Sequence, residues 1–300
     1  MKVIFPNLIL LLLLPLFSVG QGYLDIVKTN YEFSPSVPVK DTDEDMSLST
    51  YNALITLPIE LNNGNILLTG LRYNQMTMTA DINFREQIVL KSMQFRLGSI
   101  LKFENDWDLN ITGMGSWNSE WDNYYSEDLV YGIFALTSHR VNNKLRWSTG
   151  VYFSQELSGP FITPLIGLDY QPNRKWNIFG TLPIDFTIAR KLSSRFNTGL
   201  YFKSLLMTYG MDDDFLAERS YVENSPNNLF VFLEYISPSG VGFRGMIGHS
   251  IFRKIRFYDA EEQVDWQLSA VRFNERNVPN MQLGDGLIID FSLFFRVSTR

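Results

Sequence analysis

The sequence predicts an all-β protein, a transmembrane antiparallel up-and-down β-barrel of about 14 strands, with 12 strands as the alternative. Three observations predict this fold. Apolar and polar side chains alternate along short segments, short and long connections alternate between those segments, and aromatic residues follow the short turns. No segment after residue 20 is long and apolar enough to be a membrane-spanning helix.

The first twenty residues have the pattern of a secretory signal peptide. Lys2 precedes an apolar run over residues 8–17, and small residues follow it. Pro15 interrupts the run, whereas a membrane anchor needs roughly 20 consecutive apolar residues. We therefore expect a cleaved signal peptide over 1–20 and a single outer-membrane β-barrel over 21–300, located in the outer membrane of a Gram-negative bacterium.

The charge balance and the lack of cysteine exclude several classes of function. Loss of Lys2 reduces the 26 basic residues to 25, against 32 acidic ones, so the exported chain has a net charge of −7 and is not expected to bind nucleic acid. The absence of cysteine excludes disulfides, thiolate catalysis, cysteine-ligated metals and lipid attachment through cysteine. We expect no cofactor. The expected partners are outer-membrane lipid, the barrel-assembly machinery during insertion, and an unidentified cell-surface or periplasmic protein.

The clearest strands have one apolar and one polar face. Residues 91–103 and 287–297 alternate with period two, and so do 145–154 and 241–248. Phe294 is the exception in the last strand, because it falls on the polar face. A β-sandwich would show the same alternation, so the connections must decide between the two architectures.

Short and long connections largely alternate along the chain, as they do in outer-membrane barrels with short periplasmic turns and long outer loops. If residues 23–33 form the first strand, the connections give 14 strands and place both ends in the periplasm. The alternative of 12 arises because the break near Leu182 and Pro183 has weak loop chemistry. Short turns are predicted at 62–65, 104–106, 142–144, 172–175, 193–195 and 237–240, and long connections at 35–45, 117–128, 208–228 and 259–286.

Aromatic residues lie at a common height relative to the short turns. Trp107, Trp176 and Phe196 each directly follow a turn, and Trp147 follows one closely. A girdle of aromatic side chains at the membrane interface gives this arrangement, whereas the core of a β-sandwich would place them nearer the strand centres. The pattern therefore favours the barrel.

Charged residues of both signs fall on the polar faces of the predicted strands, where exposure to lipid would be costly. We therefore predict that they line the lumen. They either form a charged pore constriction or form internal ion pairs that fill the barrel together with Tyr152, Tyr201 and Phe294. The predicted lumen-lining residues are Arg96, Arg146, Lys203, Glu234, Arg244, Asp290 and Arg296.

The two histidines do not indicate a catalytic site. His139 follows Ser138 and His249 precedes Ser250, and adjacent residues of a strand point to opposite faces. A triad across strands stays open, but no Gly-x-Ser-x-Gly motif supports it. We expect neither catalytic nor metal-binding nor cofactor-binding residues, so the protein is not predicted to be an enzyme.

Two of the long connections contain candidate binding residues. Residues 212–214 are three aspartates, with Glu218 and Glu223 nearby, and they form either a solvated acidic loop or a cation contact. The connection 117–128 contains Trp117, Trp121, Tyr124 and Tyr125, which either bind sugars or proteins or fold the loop over the barrel mouth. Residues 251–258 are expected to extend the strand that begins at Val241, which would place Arg253 near the outer rim.

The chain resembles an uncharacterised family of outer-membrane β-barrel proteins, a domain of unknown function, from Bacteroidetes-type bacteria. The matching stretches are LIGLDYQPN at 165–173, WNIFGTLP at 176–183 and GHSIFRK at 248–254. The resemblance implies export and a barrel, and it implies no catalytic or binding residues.

These observations predict a passive pore or a channel for small solutes. The alternatives are a closed structural or partner-binding barrel at the cell surface and, third, a hydrolase of envelope lipids. A pore requires a lumen wide enough to hold water, and a closed barrel requires a filled one.

Overall fold

The structure is a computed structural model, and it describes residues 23–79, 87–212, 219–268, 271–273 and 281–298. The predicted signal peptide lies outside the described residues. Apart from a 3-10 turn at Ser126–Asp128, the regular elements are strands, numbered here in chain order. They are β1 Tyr23–Pro38, β2 Asp45–Glu60, β3 Ile66–Thr79, β4 Gln87–Lys102, β5 Trp107–Ser119, β6 Leu129–Asn142, β7 Leu145–Glu156, β8 Gly159–Asn173, β9 Trp176–Leu182, β10 Asp185–Lys191, β11 Phe196–Lys203, β12 Met207–Met211, β13 Ser220–Ser225, β14 Asn228–Ile236, β15 Val241–Ser250, β16 Lys254–Asp259, β17 Trp266–Leu268, β18 Val271–Phe273, β19 Met281–Leu283 and β20 Leu287–Ser298.

Fourteen of these strands form a closed antiparallel barrel. Strands β1 to β11 pair in sequence, β11 pairs with β14, β14 with β15, and β15 with β20. The ring closes where β20 pairs with β1, with Tyr23 opposite Ser298. The predicted all-β barrel of 14 strands is therefore confirmed, and the alternative of 12 is wrong. The break at Leu182 and Pro183 is a real turn, in which Ile184 N donates to Thr181 O at 2.8 Å.

Apolar side chains cover the outward face of the barrel. In β4 the side chains of Phe95 and Leu97 are 66% and 63% exposed, whereas Ser92 on the opposite face is 1% exposed. In β20 Phe291 is 65% exposed and Asp290 is 1% exposed. A surface that exposes large apolar side chains all round requires an apolar environment, and the alternation supplies a polar interior at the same time.

The two ends of the barrel differ in their connections. At the end that we call the turn end, each connection between consecutive strands is short, for example at 143–144 and 174–175. At the opposite end, the loop end, β11 and β14 are separated by residues 204–227, and β15 and β20 by 251–286. The predicted short turns all lie at the turn end. At the loop end only some connections are long, because 157–158 and 183–184 are two residues each.

The long connections form a second, smaller sheet at the loop end, which we call the loop sheet. Its strands β12, β13, β16 and β19 pair antiparallel in that order. One edge touches β5 through Gly210 and Ser119, and the other forms a bridge from Leu283 to Val39. The loop sheet therefore extends from β5 to the end of β1, across the inner side of the strands between them.

The loop sheet changes two predictions. Residues 208–228 were expected to be a loop but contain β12 and β13. The expectation that 251–258 extends the strand from Val241 is wrong, because β15 ends at Ser250 and β16 pairs with β13 and β19. Arg253 is consequently 3% exposed and not at an open rim. Ile255 and Phe257 are apolar and almost fully buried in the core beneath the loop sheet, which favours this position over an exposed rim.

The main hydrophobic core lies between the loop sheet and the inner face of β1 to β4. Tyr209, Met211, Val222 and Phe257 come from the loop sheet and are at most 1% exposed. Their partners from the barrel wall are also apolar, because the polar inner face becomes apolar toward the loop end. These wall residues are Val37, Val39, Met46, Leu48, Met76, Met78, Ile88 and Leu90.

Candidate functional site

Four charged residues near the turn end form what we call the turn-end ion-pair network: Asp25, Glu234, Arg244 and Arg296. Arg296 lies between two carboxylates, with Nε 2.6 Å from Asp25 Oδ1 and Nη1 2.9 Å from Glu234 Oε1. Arg244 Nε donates to the other oxygen of Glu234 at 3.0 Å. The Phe294 ring lies 4.3 Å from the Arg296 guanidinium. Because each buried charge here has a partner, the network fixes the relative positions of β1, β14, β15 and β20.

A second ion pair lies in the interior between β5 and β7. Arg146 binds both carboxylate oxygens of Asp108 through Nη2, and both residues are buried. Nearby, the Ser148 hydroxyl on β7 donates to Ser138 Oγ on β6 at 2.8 Å. These side chains line a cavity of about 210 Å³ that also contacts Phe179.

A cavity of about 320 Å³ lies between the barrel wall and the loop sheet, and we call it the central cavity. Lys203 Nζ lies 3.0 Å from Glu32 Oε2, and Asn30 Nδ2 donates to Asp290 Oδ2 at 2.7 Å. Its walls carry both signs of charge. The charged lining residues are Lys28, Glu32, Arg72, Arg96, Asp185, Lys203, Arg253 and Asp290.

Polar contacts join the loop sheet to the barrel above the central cavity. The Tyr209 hydroxyl donates to Asn74 Oδ1 at 2.7 Å. Thr208 N and Oγ1 donate to Glu156 Oε2 at 3.1 and 2.7 Å. The β12 edge is therefore held by hydrogen bonds as well as by its apolar face. Since both partners are buried, leaving one of them unpaired would cost more than the bond itself contributes.

A buried carboxylate lies in the connection between β5 and β6. Arg219 Nη2 is 2.6 Å from Asp128 Oδ1, and the Arg219 guanidinium lies 3.8 Å from the centre of the Tyr125 ring. Burial raises the pKa of Asp128 to about 6, although the ion pair with Arg219 opposes that shift. This loop therefore contains a carboxyl group that titrates in a mildly acidic range.

The seven predicted lumen-lining residues lie at three places in the interior. Arg96, Lys203 and Asp290 line the central cavity, and Arg146 lines the smaller one. Glu234, Arg244 and Arg296 belong to the turn-end ion-pair network. The structure brings the last three together but does not gather all seven into one site. That they line an open passage stays a prediction.

Sequence reasoning missed several charged residues that also face the interior. Lys28 and Glu32 lie on the same, inward face of β1. Arg72 and Asn74 lie on the inward face of β3. The period-two pattern could have identified them, because each lies an even number of residues from another inward residue. Asp108 was not identified as an inward residue, because it directly follows Trp107 at the start of a strand next to a turn.

The histidines lie apart from the serine hydroxyls beside them. The ring of His139 stacks on Trp107 with centroids 4.5 Å apart, and His249 Nδ1 lies 2.6 Å from the carbonyl oxygen of Ser250. Ser138 instead bonds to Ser148, and the Ser250 hydroxyl accepts a hydrogen bond from Gly286 N at 2.8 Å. No described hydrogen bond joins a histidine ring to a serine hydroxyl.

The predicted girdle and aromatic loop have different environments. Trp107 and Trp147 contact each other at the turn end with centroids 5.6 Å apart. In the connection after β5, Trp121 packs on Tyr73 at 5.9 Å, whereas Tyr124 is 76% exposed. The aromatic loop therefore folds partly onto the barrel and partly into the surroundings.

The acidic connection is described only in part. Asp212 accepts a hydrogen bond from Asn123 N at 2.7 Å, and Glu223 in β13 is fully buried. Residues 213, 214 and 218 lie outside the described residues. Within the described ranges no group of three or more acidic or histidine side chains is arranged to hold a metal ion.

Among the residues that the structure describes, no helix has the length and hydropathy needed to cross a membrane.

Comparison with solved structures finds other β-barrels. The NanC porin matches with a TM-score of 0.39 and 10% identity over 90% of this chain and 100% of that one. The translocator domain of the autotransporter NalP from Neisseria meningitidis has a TM-score of 0.36 and 9% identity over 94% of this chain and 91% of that one. The β domain of the Bordetella autotransporter BrkA has a TM-score of 0.31 and 6% identity over 91% of this chain and 100% of that one. Likenesses this distant carry no information on function.

Comparison with curated proteins finds no match. A family model, in contrast, matches residues 23–263, which are most of the described barrel. The sequence had indicated an uncharacterised barrel family, and the family is indeed one without a known function. The chain belongs to the family described as "Domain of unknown function (DUF6268)".

Proposed function

We propose that the protein is an outer-membrane channel for small solutes, gated at its loop end by the loop sheet. The central cavity carries this proposal. It is a space of about 320 Å³ whose lining includes charged residues of both signs, inside a barrel whose outward face is apolar. A space of this size holds a small solute, and charged linings select solutes in channels.

The outward face supports the location in a membrane. Large apolar side chains on well-separated strands of the ring are exposed, including Ile166 in β8 at 70% and Phe243 in β15 at 57%. A barrel has no unpaired strand edge, so its backbone hydrogen bonds are satisfied in lipid. We infer that lipid surrounds these side chains and that assembly machinery inserts the chain into the outer membrane of a Gram-negative bacterium.

The loop sheet supports the gate. It contacts β5 at one edge and Val39 at the other, and its apolar face covers the loop-end part of the inner wall. Its strands come from two connections and not from the ring, so it can move without opening the barrel. We expect low conductance while it is docked and higher conductance after it is released.

The closed structural barrel is the second candidate, and a specific observation favours it. The loop sheet buries fully apolar side chains such as Val222 and Phe257, and the turn end is crossed by buried ion pairs. An interior filled at both ends would make a rigid surface protein. The two candidates differ in whether releasing the loop sheet opens a path for ions.

Single-channel recording in a planar bilayer tests the proposal. We would compare the refolded wild type with Phe257→Asp, which places a charge in the core beneath the loop sheet, and with Tyr124→Asp at an exposed loop position as the matched control. The channel predicts that Phe257→Asp gives frequent, large conductance steps and that Tyr124→Asp behaves like the wild type. Folded protein that stays silent in all three forms would contradict the channel and leave the closed barrel.

We also infer a non-enzymatic role, processing of residues 1–20 on export, and an origin in Bacteroidetes-type bacteria. The separation of both histidine rings from the neighbouring serine hydroxyls supports the first inference. Hydrolysis of envelope lipids that is lost in His139→Ala or His249→Ala would contradict it. The mass of the mature protein tests the second inference, the removal of residues 1–20.

A further inference from the structure

Two arginines face the central cavity without a carboxylate partner. Arg72 in β3 and Arg96 in β4 lie diagonally across adjacent strands, since Gly70 is opposite Arg96 and Arg72 is opposite Gln94. Residues in this diagonal position have Cβ atoms about 7 Å apart, within reach of two long side chains. Both line the central cavity.

The contacts of the two arginines leave most of their donors free. Arg96 Nε donates to Gln94 Oε1 at 2.7 Å, and Arg72 Nε is buried with no hydrogen-bond partner among the described residues. Within the described chain neither guanidinium forms an ion pair, whereas Arg146, Arg244 and Arg296 all do. Arg253, which also lines the cavity, forms no described ion pair either, but its Nη2 donates to Ser34 Oγ at 3.3 Å. Arg72 and Arg96 are thus two neighbouring arginines on the barrel wall that face the cavity without a carboxylate partner.

Two of the three acidic residues that line the cavity have partners of their own. Glu32 pairs with Lys203 at 3.0 Å, and Asp290 accepts hydrogen bonds from Asn30 at 2.7 Å and from Ser292 at 2.8 Å. The lining contains five basic and three acidic residues, so an excess of positive charge faces the cavity. A buried, uncompensated guanidinium is unfavourable unless an anion can approach it.

We propose that Arg72 and Arg96 form a binding site for the oxyanion of a small solute, a carboxylate or phosphate group. A guanidinium presents its donors in a planar fork that matches either group, and two forks side by side fit one oxyanion. The remaining lining offers the Asn52 amide and the Tyr201 hydroxyl, which suit a hydroxylated solute. The site rests on the proposed channel function for its role in the cell, but the binding itself does not depend on conductance.

Binding is tested with the refolded full-length mature protein in detergent. Inorganic phosphate and gluconate are titrated in turn at constant ionic strength against sodium chloride, and the melting temperature is recorded. We expect a saturable rise of roughly 2–5 °C with at least one of the two, beyond the effect of chloride. The arm with the higher affinity identifies the phosphate-bearing or the carboxylate-bearing class of solute.

Variants assign the binding to the two arginines. Arg72→Gln and Arg96→Gln should each weaken the apparent affinity at least tenfold, and Arg96→Lys, which keeps the charge but loses the fork, should weaken it less. Arg174→Gln at an exposed turn is the matched control and should bind like the wild type. Heat-modifiable gel mobility shows whether each variant is folded. If one glutamine variant fails to fold, the other alone is sufficient to test the site.

Two results would overturn the site: no rise beyond that with chloride, or an unchanged affinity in a folded Arg72→Gln or Arg96→Gln variant. Single-channel conductance, measured separately, distinguishes failure of the binding site from failure of the channel. Oxyanion binding that depends on the arginines, in a protein that never conducts, supports the site and removes the channel. Conductance with no such binding keeps the channel and removes the site.

Discussion

The two ends of the barrel interior are held by different forces. At the turn end, charged side chains from barrel strands pair directly, as in the contact between Arg296 and Glu234 at 2.9 Å. At the loop end, apolar side chains of the loop sheet, such as Phe257, pack against the inner wall. The first set joins strands that are already part of the ring, and the second joins the ring to a separate element.

This difference divides the molecule into a fixed part and a part that can move. Buried ion pairs depend on geometry, so displacing one partner leaves an unpaired charge. Apolar contacts are not directional, and a small sheet can leave its site at a cost that grows with the area exposed. We therefore expect the turn end to respond to mutation as one unit with the barrel, and the loop end to respond separately.

Replacing the central carboxylate of the turn-end network should have the largest effect. Glu234→Gln leaves Arg244 and Arg296 without one of their charged partners, and we expect it to lower the free energy of unfolding of the whole barrel by about 3–5 kcal/mol. Urea unfolding in detergent micelles measures this. Glu104→Gln, at an exposed turn, is the matched control. Equal stability of the two variants would mean that the network does not hold the ring.

Removing a large side chain from beneath the loop sheet should affect the loop end alone. Phe257→Ala should destabilise the docked loop sheet by about 3 kcal/mol, because it removes a fully buried ring and leaves a cavity. Limited proteolysis should then cut within 204–227 or 251–286 while the heat-modifiable mobility of the barrel persists. Loss of both together would show that the two ends are not separable.

The pH dependence of the loop end should reflect Asp128. Its pKa is raised to about 6 by burial, so the folded state holds the proton more tightly than the unfolded state does. The stabilising contribution of this carboxyl group is fully present below about pH 4, where both states are protonated, and it is lost as the pH rises through about 6. Asp128→Asn stays neutral, so it should have the melting temperature of the wild type at pH 4. At pH 7.5 it should melt at a higher temperature, with a free energy of unfolding larger by an amount on the order of 1 kcal/mol. A lower melting temperature for the variant at pH 7.5 would show that the pair with Arg219 dominates.

The smallest expected effect is at the junction between the loop sheet and the wall. Tyr209→Phe removes the hydroxyl that donates to Asn74 at 2.7 Å, and we expect a loss of about 1 kcal/mol. Hydrogen exchange of β12 amides measures this local change. Protection that falls equally in β14, which is part of the ring, would contradict a local role for this bond.

The sequence was sufficient to predict the ring but not the loop sheet. The alternation in residues 91–103 and the turn positions follow from lipid on one side and polar groups on the other, so they predict strands directly. The residues of β12, β16 and β19 form strands of six residues or fewer, and their apolar side chains find partners on distant wall strands. Pairings of this kind depend on tertiary contacts and leave little local signal.

The candidate site was predictable in the same uneven way. Arg96 was identified because its strand alternates clearly, and Phe294 was recognised as an exception, which the structure places against the Arg296 guanidinium. Arg72 was missed, although it lies opposite Gln94 on the neighbouring strand. Which arginines pair and which stay unpaired depends on the order of strands around the ring, and period two alone does not give that order.

The pairing of β20 with β1 also limits how fast the protein can fold. The ion pair between Asp25 and Arg296 joins residues 271 positions apart, and closing a loop of that length in an unstructured chain costs about 5 kcal/mol of entropy. Local hairpins must form first and bring the two edges together, so ring closure is the late, slow step. Until then β1 and β20 each present an unpaired edge, and the half-assembled sheet is exposed to pairing with other chains. A catalyst of insertion would therefore act chiefly by protecting these two edges.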